Sequence, residues 1–208
     1  MQAATKRPRS RLSPADRRAQ LLEAAIEAFA RRGLARAGHA EIAEACGVSV
    51  ATAFVYFPTR EALVDAVLDE LERVALEICD ECYADGASAP EAIRRNVRAI
   101  LDLAEGRPAY GLIWLDWSTA VRDDVWPRYL EFQGRVVERI ADAIRRGRAA
   151  GNVRTKEEPE TCARLIIGST QMLAQMMFAS EPRPRVEAFA DAVIDLALAI
   201  DATGTGEV

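Results

Sequence analysis

Cys79-Asp-Glu-Cys82 is the one place in this chain where two soft ligands stand at a spacing suited to redox or zinc chemistry. The pair sits inside an amphipathic helical pattern, not after a strand, and no second cysteine pair or histidine is close in sequence. Two core thiols are therefore the stronger reading. His39 is the only histidine. The chain has no HExxH, no phosphate-binding glycine loop, no nucleophile elbow, and no acid and base at a readable spacing, so catalysis has none of its usual machinery. No metal or cofactor is called for. What remains are groups that bind: basic side chains crowded at one end, and an aromatic stripe, Tyr110, Trp114 and Trp117, at helical spacing.

The basic groups are placed unevenly. Residues 1–36 carry nine of them (Lys6, Arg7, Arg9, Arg11, Arg17, Arg18, Arg31, Arg32, Arg36) against Asp16, Glu23 and Glu27, a local charge of +6 in a chain whose net charge is −5. A basic end on an acidic body suits a protein that touches a polyanion with one end only, because phosphate neutralisation supplies most non-specific nucleic-acid affinity. The remaining cysteines, Cys46 and Cys162, bring the total to four. That is too sparse for the disulfide framework of a small exported domain, so reduced thiols are expected. No run of about 18 apolar residues is free of charge, and the basic N-terminus lacks the apolar stretch of a signal peptide. A soluble, cytoplasmic protein without a membrane span is the expectation.

The elements that position these groups are all helical: apolar residues recur at helical spacing, and alternating strand patterns are absent. The first helix opens at Ser13-Pro14, a capping residue followed by proline at the first helical position, and ends near Arg31 before Gly33. Its apolar stripe is Leu21, Ala25, Ala28 and Phe29 with Leu22 and Ile26. A short helix follows from about His39 to Cys46. Gly47 makes the turn, and Ser49 caps a third helix from Val50 to about Tyr56. Pro58-Thr59 resets the chain before a long helix from Arg60 to about Tyr83. Further helices are predicted at roughly 90–105, 108–122, 125–150, 159–180 and 186–201, nine in all. Three short helices and then six longer ones place a domain boundary near residue 58, with the fourth helix expected to pack against both parts. The expected division is a basic arm at 1–12, a three-helix domain at 13–58, and a larger helical domain at 59–208.

Residues 40–57 have the architecture of a helix-turn-helix. Ile42, Ala43 and Cys46 face a core with Val48, Ala53 and Phe57, while Val50, Ala51, Thr52, Val55 and Tyr56 face outward toward a major groove, with Ser49 beside phosphate. An ordinary αα-hairpin in a bundle is the bland alternative. The stretch GVSVATAFVYFPTREAL at 47–63 resembles the TetR family of transcription regulators, in which Val-Ser precedes the recognition helix and Tyr-Phe-Pro-Thr/Ser-Lys/Arg-Glu-x-Leu follows it. KRPRSRLSP, AFARRGLARAGHAEIAEACGVSVAT and YFPTREALVDAV, with WLDWSTAVRDDVWP at 114–127, are similar to the quorum-sensing master regulators of vibrios within that family, the LuxR/HapR/SmcR type.

The resemblance implies an all-α TetR-like fold and a homodimer on pseudo-palindromic duplex DNA. It makes Ser49, Val50, Ala51, Thr52, Tyr56 and Arg60 the DNA-facing set. Lys6, Arg7, Arg9 and Arg11 become an arm suited to a narrow minor groove, the alternative being a solvated basic tail. His39 lies near the DNA backbone in this layout, in a capping, phosphate-contacting or purely local role. Val55 stands where the vibrio proteins carry asparagine, so their operator does not transfer unchanged. Phe54 replaces a tyrosine common elsewhere in the family.

For the larger domain, Tyr110, Trp114 and Trp117 with Ile78, Cys79, Val97, Ile100 and Ile140 make a candidate lining for a small apolar ligand, set against plain core. The stretches 165–178 and 192–200 are apolar nearly all round, and the same pair from a second copy is the simplest cover. Leu165, Gly168, Ser169, Met172, Met176, Phe189, Val193 and Leu196 are the candidate dimer contacts, with Gly168 and Ser169 permitting close approach. Repression by occlusion and activation by recruiting RNA polymerase both stay open. So does a ligand- or redox-responsive local repressor unrelated to quorum sensing.

Overall fold

A computed structural model describes residues 12–84 and 86–199. Lys6, Arg7, Arg9 and Arg11 lie outside the described residues. Among those described there are nine helices and no strand: α1 Pro14–Arg32, α2 His39–Cys46, α3 Val50–Tyr56, α4 Arg60–Tyr83, α5 Ala89–Gly106, α6 Pro108–Thr119, α7 Trp126–Ala149, α8 Pro159–Phe178 and α9 Arg183–Leu198. The chain forms two compact units, residues 1–67 and 68–208, so the division falls inside α4.

In the first unit, α1 and α3 begin on side-chain caps. Ser13 Oγ accepts the Asp16 amide at 3.1 Å and Pro14 follows at the first turn, where its missing N–H costs nothing. Gly47, at φ 63°, takes the left-handed conformation that closes α2 and turns the chain into α3. Leu21, Ile26 and Phe29 from α1 pack with Ile42 and Ala43 from α2, Ala53 from α3 and Phe57 just past its end, all essentially inaccessible to solvent. Val48 and Cys46, expected in this core, are only half-buried, and the Cys46 thiol reaches the Gln20 carbonyl.

In the second unit, α5, α7, α8 and α9 enclose one core. Ile93, Val97 and Leu101 meet Ile140, Ala141 and Ile144, with Ala163 and Ile166 from α8 and Ile194 and Leu198 from α9. Gly147 marks the tightest approach: a Cβ there would lie 2.6 Å from Ala89 Cβ and from Val153 Cγ2. Arginines tie the helices at the rim. Arg128 bonds Asp69 and Glu72 at 2.6 Å each, Arg135 bonds Glu72, and Arg139 bonds Asp80 at 2.6 Å. Numbers rise together on both sides, so α4 and α7 run in the same sense. Glu72 is buried, and two guanidiniums compensate its desolvation.

Two helix boundaries differ from the sequence reading. α6 stops at Thr119, because Ser118 and Thr119 turn their hydroxyls back onto the Leu115 carbonyl and the next amide, Ala120, bonds Trp117 in a tighter turn. α9 begins at Arg183, not after the prolines, since Pro184 fits the first turn of a helix, and the left-handed Ala199 follows its end.

Candidate functional site

The outward face of α3 is built by its caps. Ser49 Oγ accepts the Thr52 amide at 3.1 Å and lies 2.8 Å from Thr52 Oγ1, which starts the helix and occupies both hydroxyls locally. Ala53 and Phe57 point inward. Val50, Ala51, Phe54 and Val55 are thereby left on the surface, Val55 with 77% of its area exposed. Tyr56 and Thr52 are half-buried. Arg60 donates to the Leu34 carbonyl.

His39 is placed differently from the exposed set. It is buried at the start of α2, its Nε2 lies 2.6 Å from the Phe57 carbonyl, and its ring stacks on Phe54 with centroids 3.9 Å apart and planes 8° apart. Of the roles the sequence left open, the local one has the contacts: His39 joins the front of α2 to the back of α3. Phe54, noted only as a departure from the family pattern, is the other half of that joint. Arg31 and Arg32 reach Glu41 at 3.2 and 2.9 Å, linking α1 to α2. Partial burial works to raise the Glu41 pKa, but the two guanidinium bonds prevail and hold it below the ordinary glutamate value.

In the second unit lies a cavity of about 150 Å³. Of the sequence-predicted lining, Cys79, Val97, Ile100, Tyr110, Trp114, Trp117 and Ile140 are brought together there. Ile78 is not. On α4 the wall is Leu71, Ala75 and Cys79, and Ile78 is turned about 100° from Cys79 around the helix axis. The floor from α7 (Phe132, Gln133, Val136) and the α8 wall (Ile166, Thr170, Leu173, Met177) were missed, because which face of those helices turns inward depends on packing. Asn96, a buried polar residue on an otherwise apolar stripe of α5, was the legible signal. Its amide donates to Cys79 Sγ at 3.5 Å.

The aromatic stripe divides into two roles. Trp117 is fully buried, its indole N–H bonds the Val125 carbonyl at 2.9 Å, and its ring packs on Tyr129 and Phe132. It is a wall. Trp114 is half-buried and faces the space. Tyr110 is fixed from outside, its hydroxyl 3.3 Å from Glu70 and the Arg107 guanidinium 4.2 Å from its ring centroid. Among the described residues that line the cavity, none is charged. Cys79 and Cys82 are both buried as free thiols, and burial pushes the Cys79 pKa up to about 11, which keeps it protonated and poorly nucleophilic.

On α8, Leu165 and Met172 are about half exposed, and on α9 Leu196 is 80% exposed. Gly168 lies on the surface between the first two, with nothing within 4 Å of where a Cβ would stand. Ser169, Met176, Phe189 and Val193 are half-buried along the same helices.

Residues 21–67 match the bacterial regulatory proteins of the tetR family. Beyond that segment, the chain is 39% identical over 168 residues to the HTH-type transcriptional regulator LuxR of Vibrio harveyi, an alignment spanning 81% of this chain and 82% of that protein. The chain belongs to the tetR family. As a TetR-family member it is a DNA-binding transcriptional regulator and not an enzyme. The all-α TetR fold is shared with a transcriptional regulator from Saccharomonospora viridis solved with choline (TM-score 0.75, 22% identity, 88% of this chain and 95% of that one). It is shared too with FadR from Bacillus subtilis solved with stearoyl-CoA (TM-score 0.74, 17% identity, 86% and 97%). In this TetR-family regulator, α2 and α3 form the helix-turn-helix. No helix among the described residues is long and apolar enough to cross a membrane.

Proposed function

We propose that this regulator works in the cytoplasm as a homodimer, laying α3 of each copy in the major groove of a pseudo-palindromic promoter site, with a small ligand in the second unit adjusting its hold. The observation that carries the DNA reading is the capped, outward-facing α3, whose apolar side chains are exposed although the helix has a formed core behind it. Ser49, Val50, Ala51, Thr52, Val55 and Tyr56 form the groove-facing set, and Arg60 stands at its edge. Lys6, Arg7, Arg9 and Arg11 supply the adjacent arm. Balance of charge supports this: residues 12–67 hold six arginines against seven carboxylates, so the counterion-releasing groups are concentrated at 6–11.

Exposed Leu165, Met172 and Leu196 support the pairing of α8 and α9 with those of a second copy, which would place two heads near one turn of DNA apart. For the ligand, a cavity of about 150 Å³ without a charged wall suits an uncharged molecule about the size of benzene. The polar groups at hand are the Asn96 amide and the Gln133 side chain. Similarity to LuxR of Vibrio harveyi supports a role in cell-density control. A ligand-responsive local repressor is the other reading, and the uncharged cavity favours it equally.

Genome-wide mapping of the bound sites tests the proposal, giving motif, half-site spacing and targets together. Paired half-sites near promoters are expected. Binding without sequence preference would reject it. Trp114→Ala is expected to change ligand-dependent release of DNA while leaving the fold intact, and unchanged release would reduce Trp114 to filling space.

A further inference from the structure

We infer that α3 reads its operator chiefly by covering thymine methyl groups, not by hydrogen bonds to base edges. The inference rests on the DNA-binding reading and adds the chemistry of the bases recognised. In the major groove, bidentate recognition of guanine needs arginine or lysine, and that of adenine needs asparagine or glutamine. Val50–Tyr56 contains none of them. The hydroxyls of Ser49 and Thr52 lie 2.8 Å apart and bond each other, and the former also accepts the Thr52 amide, so the pair is tied to the start of the helix and leaves one O–H for a single contact, not a two-point grip on a base. Tyr56 alone keeps a phenol at the C-terminal end of the helix.

The outward surface is instead apolar and stiff. Val55 is 77% exposed, Phe54 45% and Val50 42%, side chains that gain by losing water. Both valines are β-branched and hold few rotamers. The Phe54 ring is fixed by its stack on His39, itself held at the Phe57 carbonyl. Such a surface meets one apolar feature in the major groove, the C5-methyl of thymine. Electrostatic attraction comes from other residues, so affinity and base choice are carried by separate groups.

The test begins with selection of preferred duplexes from a random library by the full-length chain. Each thymine of the consensus is then replaced by deoxyuridine, which removes the methyl and leaves the pairing edge unchanged. Binding should weaken about fourfold for each methyl buried against α3, the effect of exposing one apolar carbon. In Val55→Ala, whose exposed site should leave the melting temperature unchanged, the deoxyuridine penalty at its position should shrink toward none while the salt dependence stays that of the parent. A consensus indifferent to deoxyuridine, or a penalty equally large in Val55→Ala and Val50→Ala, would overturn methyl reading and leave DNA regulation standing. No consensus at all would overturn both.

Discussion

The two units leave apolar groups uncovered in opposite ways. In the first, the core side chains are buried and the uncovered ones, Val50, Phe54 and Val55, stand outside on a seven-residue helix held by Ser49 and His39. In the second, the rim is stitched by arginine–carboxylate bonds, and what is unfilled is the interior, a cavity walled by Trp114, Trp117, Phe132 and Val136. An outward apolar surface can be satisfied only by a partner larger than the helix. An inward one admits only what fits. The same preference of apolar groups to leave water thus suits one unit to a macromolecule and the other to a small, uncharged molecule.

Removing the wall from the hollow unit should have the largest effect. Trp117→Ala deletes a fully buried indole together with its bond to the Val125 carbonyl, and should cost about 3–5 kcal/mol in denaturant unfolding. Trp114→Ala, half-buried and facing the cavity, should cost far less; equal losses would erase the distinction between wall and ligand face. Leu165→Arg combined with Leu196→Glu alters side chains that are exposed in one copy. It should leave the melting temperature nearly unchanged, convert the protein to a monomer by light scattering, and weaken binding to a two-half-site duplex on the order of a hundredfold. A dimer that survives both substitutions would move the pairing surface elsewhere.

In the first unit, His39→Ala removes the bond to the Phe57 carbonyl and the stack on Phe54. A loss of about 1–2 kcal/mol, with weaker DNA binding, is expected in thermal melts and gel shifts. Loss of stability with full DNA affinity would show that α3 does not depend on this joint. The smallest effect is at the rim. The Arg139 bond holds the Asp80 carboxyl below its ordinary value of 3.8, so this group's contribution is present above that pH and is lost as the pH falls toward the lower folded-state value. Asp80 is largely exposed, so screening limits the contribution to no more than about 0.5 kcal/mol. Asp80→Asn should flatten the acid limb of the stability curve by that amount and change nothing at neutral pH beyond it.

Much of this is legible in the sequence. Helices α2, α3 and α4 run over the predicted residues because their signals are local: Gly47 takes a positive φ, Ser49 caps its own helix, and Pro58 stops α3 from continuing. Seven of eight expected cavity residues line the space, because helical spacing assigns faces. Ile78 failed for the same reason carried too far, since a stripe has an edge that only packing locates. His39 was ambiguous because its partners are 15 and 18 residues away, at Phe54 and Phe57. Nothing in residues 38–41 announces them.

Residue types and spacing, without tertiary contacts, determined that this chain is helical, that its basic groups crowd into residues 1–36, and that its third helix lacks any side chain able to grip a purine in bidentate fashion. Those are properties of composition and of interactions within a turn or two, where the backbone alone decides the geometry. Tertiary structure decided that the core of the second unit is hollow and uncharged, that Trp117 is a wall while Trp114 faces the space, and that the lone histidine holds a helix in place. These depend on side chains from helices far apart in sequence competing for the same volume, and the outcome is settled by packing, which local preference does not encode.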